Sequence, residues 1–208
     1  ALTNGISITT AGGDNDQIIA IPHTVLTNRW NLSGTITTGK SIEWECNITT
    51  GGAVTNMAFG AGLKLTNTLT IATDADQAYF LFATDGDLAT PDALAGVAGN
   101  QTRLHFVYSV ANADIITPLP ITVSANLNLK LKIVIDAQRQ AAAFVNGVQY
   151  NLLQAAVAAG QRNPTTAGTT LSNALTNTAV LLPVVGVQAL AAGTPAINVH
   201  YTTINRVI

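Results

Sequence analysis

Glu43 and Glu45 stand two residues apart in the run SIEWECNIT, residues 41–49. On an extended strand that spacing puts both carboxylates on one face, with Cβ atoms ~7 Å apart. Carboxylates at about that separation can work on a glycosidic bond, one as acid and the other as base or nucleophile. The plainer assignment is a solvated or neighbour-facing side of a strand. Acidic clusters recur at Asp14-Asn15-Asp16, Asp74-Ala75-Asp76 and Asp85-Gly86-Asp87. Calcium takes roughly six to eight oxygens, and loops of alternating acids can supply them. None of the three follows the EF-hand pattern, and Asp residues capping turns account for them equally. The pattern implies no bound metal and no cofactor.

His23, His105 and His200 are far apart and fall on separate predicted strands. A zinc site would need a convergence that their spacing does not announce, and solvent-facing or interface-facing positions are expected. His200 has no evident Ser and Asp partners for a triad. The single cysteine, Cys46, alternates in phase with Trp44 and Ile48. It reads as a small buried hydrophobe, and alone it excludes an internal disulfide or a Cys-based metal site. Trp30 lies in the polar stretch TNRWNLSG. An exposed Trp can stack on a sugar ring, with Arg29 and Asn31 bonding to hydroxyls; it can equally plug a sheet edge or a neighbouring subunit. Arg29, Trp30 and Asn31 are therefore the candidate glycan or partner contact. No catalytic set emerges, so the chain reads as non-enzymatic.

The elements that must position these residues announce themselves by alternation with period two. Ile42, Trp44, Cys46 and Ile48 share one face of their run, opposite Glu43, Glu45 and Asn47. Leu127, Leu129, Leu131, Ile133 and Ile135 share a face opposite Asn128, Lys130, Lys132 and Asp136. Leu104, Phe106, Tyr108 and Val110 repeat the pattern, as do Ile197, Val199 and Tyr201 against Asn198, His200 and Thr202. Further strands are predicted at 5–10, 17–24, 57–65, 76–83, 142–150 and 181–189, about ten in all. Asn146-Gly147, in AAAFVNGVQY, suits the type I′ turn of a hairpin. Pro22 and Pro183 should lie at edges, ends or bulges. Residues 84–102, 111–126 and 151–177 read as long linkers, the last carrying a short helical stretch, LLQAAVAAG, closed by Gly160. The result is an all-β chain folded as a two-sheet antiparallel sandwich.

Composition narrows the setting. The chain has 208 residues, enough for one all-β domain with a sizeable core. Residues 14–208 form that domain, with 1–13 as an N-terminal segment or strand available as an arm to neighbours. Charged residues make up 10% against an average nearer ~25%, and a surface so poor in charge favours association. The net charge is −2 with no basic run, which argues against nucleic acid as a partner. No apolar stretch approaches ~18 residues, so no membrane span is expected. The first ten residues, ALTNGISITT, lack the basic and apolar regions of a secretory leader.

The series LKIVID (131–136), AAFVNGVQY (142–150), LLPVVGVQA (181–189) and INVHYTTINRVI (197–208) resembles the ending of laminin-G-like and concanavalin A-like jelly-roll domains. β-Glucanases use such a sandwich with Glu-x-Asp-x-x-Glu on one strand; here the central residue is Glu45 and no third acid follows. A wider set is similar to structural proteins of tailed bacteriophages: DNDQIIAIPHT (14–24), SIEWECNIT, GAGLKLTNTLTIATDADQAYFLFATD (60–85) and LLPVVGVQALAA (181–192). That resemblance covers roughly residues 14–208. It implies a virion protein on the particle surface, a capsid decoration or fibre jelly-roll. Its partners would be itself, as a homotrimer or higher array, and the major capsid or other virion proteins. The alternative is a lectin-like carbohydrate-binding module that touches host-surface glycans.

Overall fold

The computed structural model describes residues 5–14, 16–21, 30–32, 41–84, 102–150 and 174–207. They form two antiparallel sheets packed face to face. The first runs β1 (Ile6–Thr9), β13 (Ala196–Val207), β4 (Ser41–Thr50), β9 (Asn128–Ile135), β10 (Ala141–Val145) and β11 (Val148–Tyr150). The second runs β2 (Gln17–Ala20), β12 (Val180–Ala189), β5 (Met57–Lys64), β6 (Gln77–Ala83), β7 (Arg103–Val110) and β8 (Ala113–Thr122), with β3 (Trp30–Asn31) also on β12. Neighbours distant in sequence, such as β13 with β4 and β12 with β5, give the crossed connectivity of a jelly-roll. The expected fold class is the one observed.

The alternating residues supply the core between the sheets. Ile42, Trp44, Cys46, Ile48, Leu129, Leu131 and Ile133 face inward from the first sheet, and Phe59, Phe80, Phe82, Phe106 and Tyr108 from the second. Phe80 and Phe106 meet edge to face, with ring centroids 5.2 Å apart. Cys46 is fully buried, and burial pushes its thiol up to about 12, so it is a packing residue as expected. Between β10 and β11, Val145 pairs with Val148 across Asn146 (φ 52°) and Gly147 (φ 81°), the positive dihedrals a type I′ turn requires.

Three expectations need correction. Residues 113–122, taken as part of a linker, are strand β8. Pro118 and Pro120 hide it, yet β8 is the last strand of its sheet, where a missing N–H is tolerated. Tyr201 does not share a face with Val199. The register of β13 on β4 slips between these residues, so Tyr201, Thr203 and Asn205 stand opposite Asn47, Glu45 and Glu43. His105 is buried, not solvent-facing. Pro183 falls in the interval of β12 between the residues paired by β3 and those paired by β2, as its missing donor demands. Pro22, the stretches 85–101 and 151–173, and the predicted helical segment at 152–160 lie outside the described residues.

The sheets differ on their outer sides. Outward residues of the second sheet form another apolar cluster: Ala58, Tyr79, Leu81, Ala83 and Val107, with Leu69 and Ile71 folded over them from the β5–β6 connection. Gly60 makes that approach possible, because a Cβ there would stand 2.7 Å from Leu69 Cδ2. The outward side of the first sheet carries mostly polar side chains on β4 and β9, with Val134 and Phe144 among them toward β10.

Candidate functional site

The outward side of the first sheet is built from β13, β4 and β9. Register places Asn198, Thr49 and Asn128 in one row, Tyr201, Asn47 and Lys130 in the next, and Thr203, Glu45 and Lys132 in a third. Adjacent Cβ atoms across such a ladder are only ~5 Å apart, so long side chains reach diagonally. Lys132 Nζ lies 2.8 Å from Glu43 Oε2, and Lys130 Nζ lies 3.3 Å from Glu45 Oε1. Tyr201 donates its hydroxyl to Glu45 Oε1 at 2.5 Å. Asn128 Nδ2 donates to Asn47 Oδ1 (2.8 Å) and Thr49 Oγ1 (2.9 Å), and Thr49 Oγ1 meets His200 Nε2 at 2.8 Å. Three bonded sets lie side by side: Glu43 with Lys132, Tyr201 with Glu45 and Lys130, and Asn47 with Asn128, Thr49 and His200. Tyr201 is 36% exposed, and the Lys130 side chain 50%. Past the Thr49–Asn198 pair, Gly51, Thr55 and Asn56 face Gly193, Thr194 and Ala196 across a hollow of about 300 Å³.

The electrostatics decide what the carboxylates can do. Partial burial raises the affinity of Glu45 for a proton, but the hydrogen bond from Tyr201 and the Lys130 and Lys132 ammoniums outweigh it and hold its carboxyl below the usual range. A general acid needs the opposite shift. Glu45 is therefore not suited to be the acid of a glycosidase pair, and Glu43 is ion-paired with Lys132. The Tyr201 phenol is pushed up to about 12 by burial and by donating to Glu45. It stays a protonated donor at neutral pH.

The residues singled out from sequence fall elsewhere. Trp30 sits on β3, paired with Leu181, half-buried against the core, with the Arg206 guanidinium 6.0 Å from its ring centroid. Asn31 pairs with Val180 through its backbone, and Arg29 lies outside the described residues. Trp30 thus lies on a strand of the second sheet, apart from the polar side chains of β13, β4 and β9. His105 and His200 lie on different sheets; His23 is outside the described residues. Asp16 accepts from Gly13 N (2.8 Å), and Asp76 receives the amide and hydroxyl of Thr176 at 2.7 and 2.8 Å, so both serve as caps. Asp74 pairs with Lys64. Among the described residues no three metal-ligating side chains converge.

The chain matches no family model and no curated protein by sequence. Solved structures do resemble it. Alginate lyase A1-II′, of polysaccharide lyase family 7, superposes with TM-score 0.53 at 8% identity, over 92% of this chain and 70% of that one. The Emp46p carbohydrate recognition domain in its potassium-bound form gives TM-score 0.53 at 8% identity, over 93% and 79%. The alginate lyase from Corynebacterium sp. gives 0.52 at 10% identity, over 98% and 77%. At such identities the likeness establishes a shared concanavalin A-like jelly-roll. It bears on the fold half of the sequence resemblance and not on the virion half.

The comparison also corrects the expectation of a non-enzymatic chain, since lyases use this same fold. That expectation rested on finding no catalytic motif along the sequence. In a jelly-roll, side chains distant in sequence meet across strands, as Tyr201, Glu45 and Lys130 do, and leave no contiguous motif.

Proposed function

We propose that this jelly-roll recognises carbohydrate, through the outward side of its first sheet around Tyr201. The observation that carries the proposal is the combination of an exposed aromatic ring with an open lattice of amide, carboxylate, hydroxyl and ammonium groups from three adjacent strands. A sugar chain offers apolar ring faces to the first and hydroxyls to the second. Neighbours described as a carbohydrate recognition domain and as alginate lyases support the reading.

The test is affinity electrophoresis of the purified chain through gels containing alginate, a neutral β-glucan or no polysaccharide. Retardation by one polymer is expected, with Tyr201→Ala weakening it at least tenfold while leaving the thermal midpoint within ~1 °C of wild type. Equal retardation of Tyr201→Ala, or none in any gel, would refute the site. The same polymers, incubated and followed for unsaturated or reducing ends, decide between binding and turnover.

A second reading concerns where such a domain works. The motifs at 14–24 and 60–85 favour a place on a virion surface, as an oligomer in contact with capsid proteins, where glycan recognition would serve attachment. Copy number in purified particles tests it: hundreds of copies indicate decoration, a handful a fibre, and none removes the reading.

A further inference from the structure

The outward side of the second sheet hides a polar knot within its apolar cluster. Lys64, at the end of β5, and Asp74, just before β6, are buried completely, their side chains 0% exposed, with Nζ and Oδ2 3.0 Å apart. Lys64 also donates to Gln77 Oε1 and to Thr70 O (3.1 Å), and its Nζ lies 4.3 Å from the centre of the Tyr79 ring. Both carboxylate oxygens of Asp74 are held: Oδ2 by the amides of Leu65 (3.2 Å) and Thr66 (3.4 Å), Oδ1 by the Thr66 hydroxyl at 2.7 Å.

In water an amine and a carboxylic acid remain apart because solvation stabilises the ammonium and the carboxylate. Burial removes that stabilisation. Contact at a fixed orientation replaces a bimolecular encounter with an intramolecular one of very high effective concentration. Condensation then eliminates two buried charges at once and releases one water. The Thr66 hydroxyl, 2.7 Å from Asp74 Oδ1, is placed to stabilise the negative charge that develops on that oxygen during attack.

We propose that Lys64 and Asp74 condense into an intramolecular amide, a covalent staple across the β5–β6 connection. A proton passes from Lys64 Nζ to Asp74 Oδ2, giving a neutral amine and a neutral carboxylic acid. The amine lone pair attacks Asp74 Cγ, and Oδ1 carries the charge of the tetrahedral intermediate against the Thr66 hydroxyl. The Cγ–Oδ2 bond breaks as Oδ2 takes a second proton from Nζ. One N–C bond has formed, one water leaves, and no oxidant or co-reactant is needed. Burial already draws the Lys64 amine down from its ordinary value. The bond would fix the segment that carries Leu69 and Ile71 over the sheet.

Mass spectrometry of the unmodified full chain tests this. The intact protein is expected to be one water lighter than its sequence. After denaturation, trypsin is expected to cut after Lys40 and Arg103 but not after Lys64, leaving a fragment of residues 41–103 that lacks one water and whose fragment ions tie residue 64 to residue 74. Lys64→Arg should restore the sequence-derived mass and cleavage at position 64. An unmodified mass with free cleavage after Lys64 overturns the proposal. So does loss of ammonia instead of water with the link at Gln77. Both readings come from the wild-type chain and survive a variant that fails to fold.

Discussion

The two outward sides of the sandwich solve opposite problems with similar residue types. On the first sheet, Glu43, Glu45, Lys130 and Lys132 make ion pairs in reach of water. On the second, Lys64 and Asp74 meet under a lid of Leu69 and Ile71, in a pair whose charges the proposed amide would remove. An exposed pair is screened and worth little, whereas a buried one must be complete, because a single unpaired charge has nowhere to go. One side can therefore exchange its hydrogen bonds for those of a ligand at small cost. The other cannot open without exposing a second core. The proposed recognition fits the first side, and rigidity the second.

The largest effect that can break this contrast is Asp74→Ala, which leaves Lys64 buried without its counter-ion. A loss of about 3–5 kcal/mol is expected, against less than about 1 kcal/mol for Glu43→Ala, both read from urea midpoints at unchanged m-value. Equal losses would erase the distinction. Next comes His105, outward on β7 yet buried, where burial pushes the imidazole down to about 4. The unfolded chain takes up a proton as pH falls through ~6.5, while the folded chain does so only near 4. Its contribution is complete above ~6.5 and is lost progressively as pH falls toward 4, by roughly 2–3 kcal/mol. His105→Leu should flatten that part of the stability–pH curve, and an unchanged slope would show that the side chain is not sealed. The smallest effect is a double-mutant cycle on Glu43 and Lys132. Its coupling should lie below about 1 kcal/mol and shrink with added salt. A coupling of several kcal/mol, indifferent to salt, would mean that this side too is closed in solution.

How much was legible depends on whether the signal is local. Alternation in SIEWECNIT and LNLKLKIVID put Trp44, Cys46, Leu131 and Ile133 inward, and the structure agrees. The lysines and glutamates were legible as an outward side, but their diagonal pairing was not, because strand register is a relation between β4 and β9. Tyr201 was assigned inward because it continues the spacing of Ile197 and Val199. Ile204 breaks that spacing by one residue, which is the trace of the bulge at His200. Strand β8 was missed because its prolines were weighed without knowing that it closes an edge.

Sequence alone determined the all-β class, the inward residues of the alternating strands and the Asn146-Gly147 turn, since period, propensity and turn chemistry act over a few neighbours. Tertiary structure decided what lies on the outer sides. MAFGAGLK and QAYFLFA are apolar on both faces, but what covers the second face, and how Lys64 finds Asp74 and Gln77 there, depends on how the β5–β6 connection folds back over the sheet. Likewise Tyr201, Glu45 and Lys130 become one site only through the pairing of three strands, because contacts between residues some 70 to 160 positions apart are set by packing and not by any property of the residues along the chain.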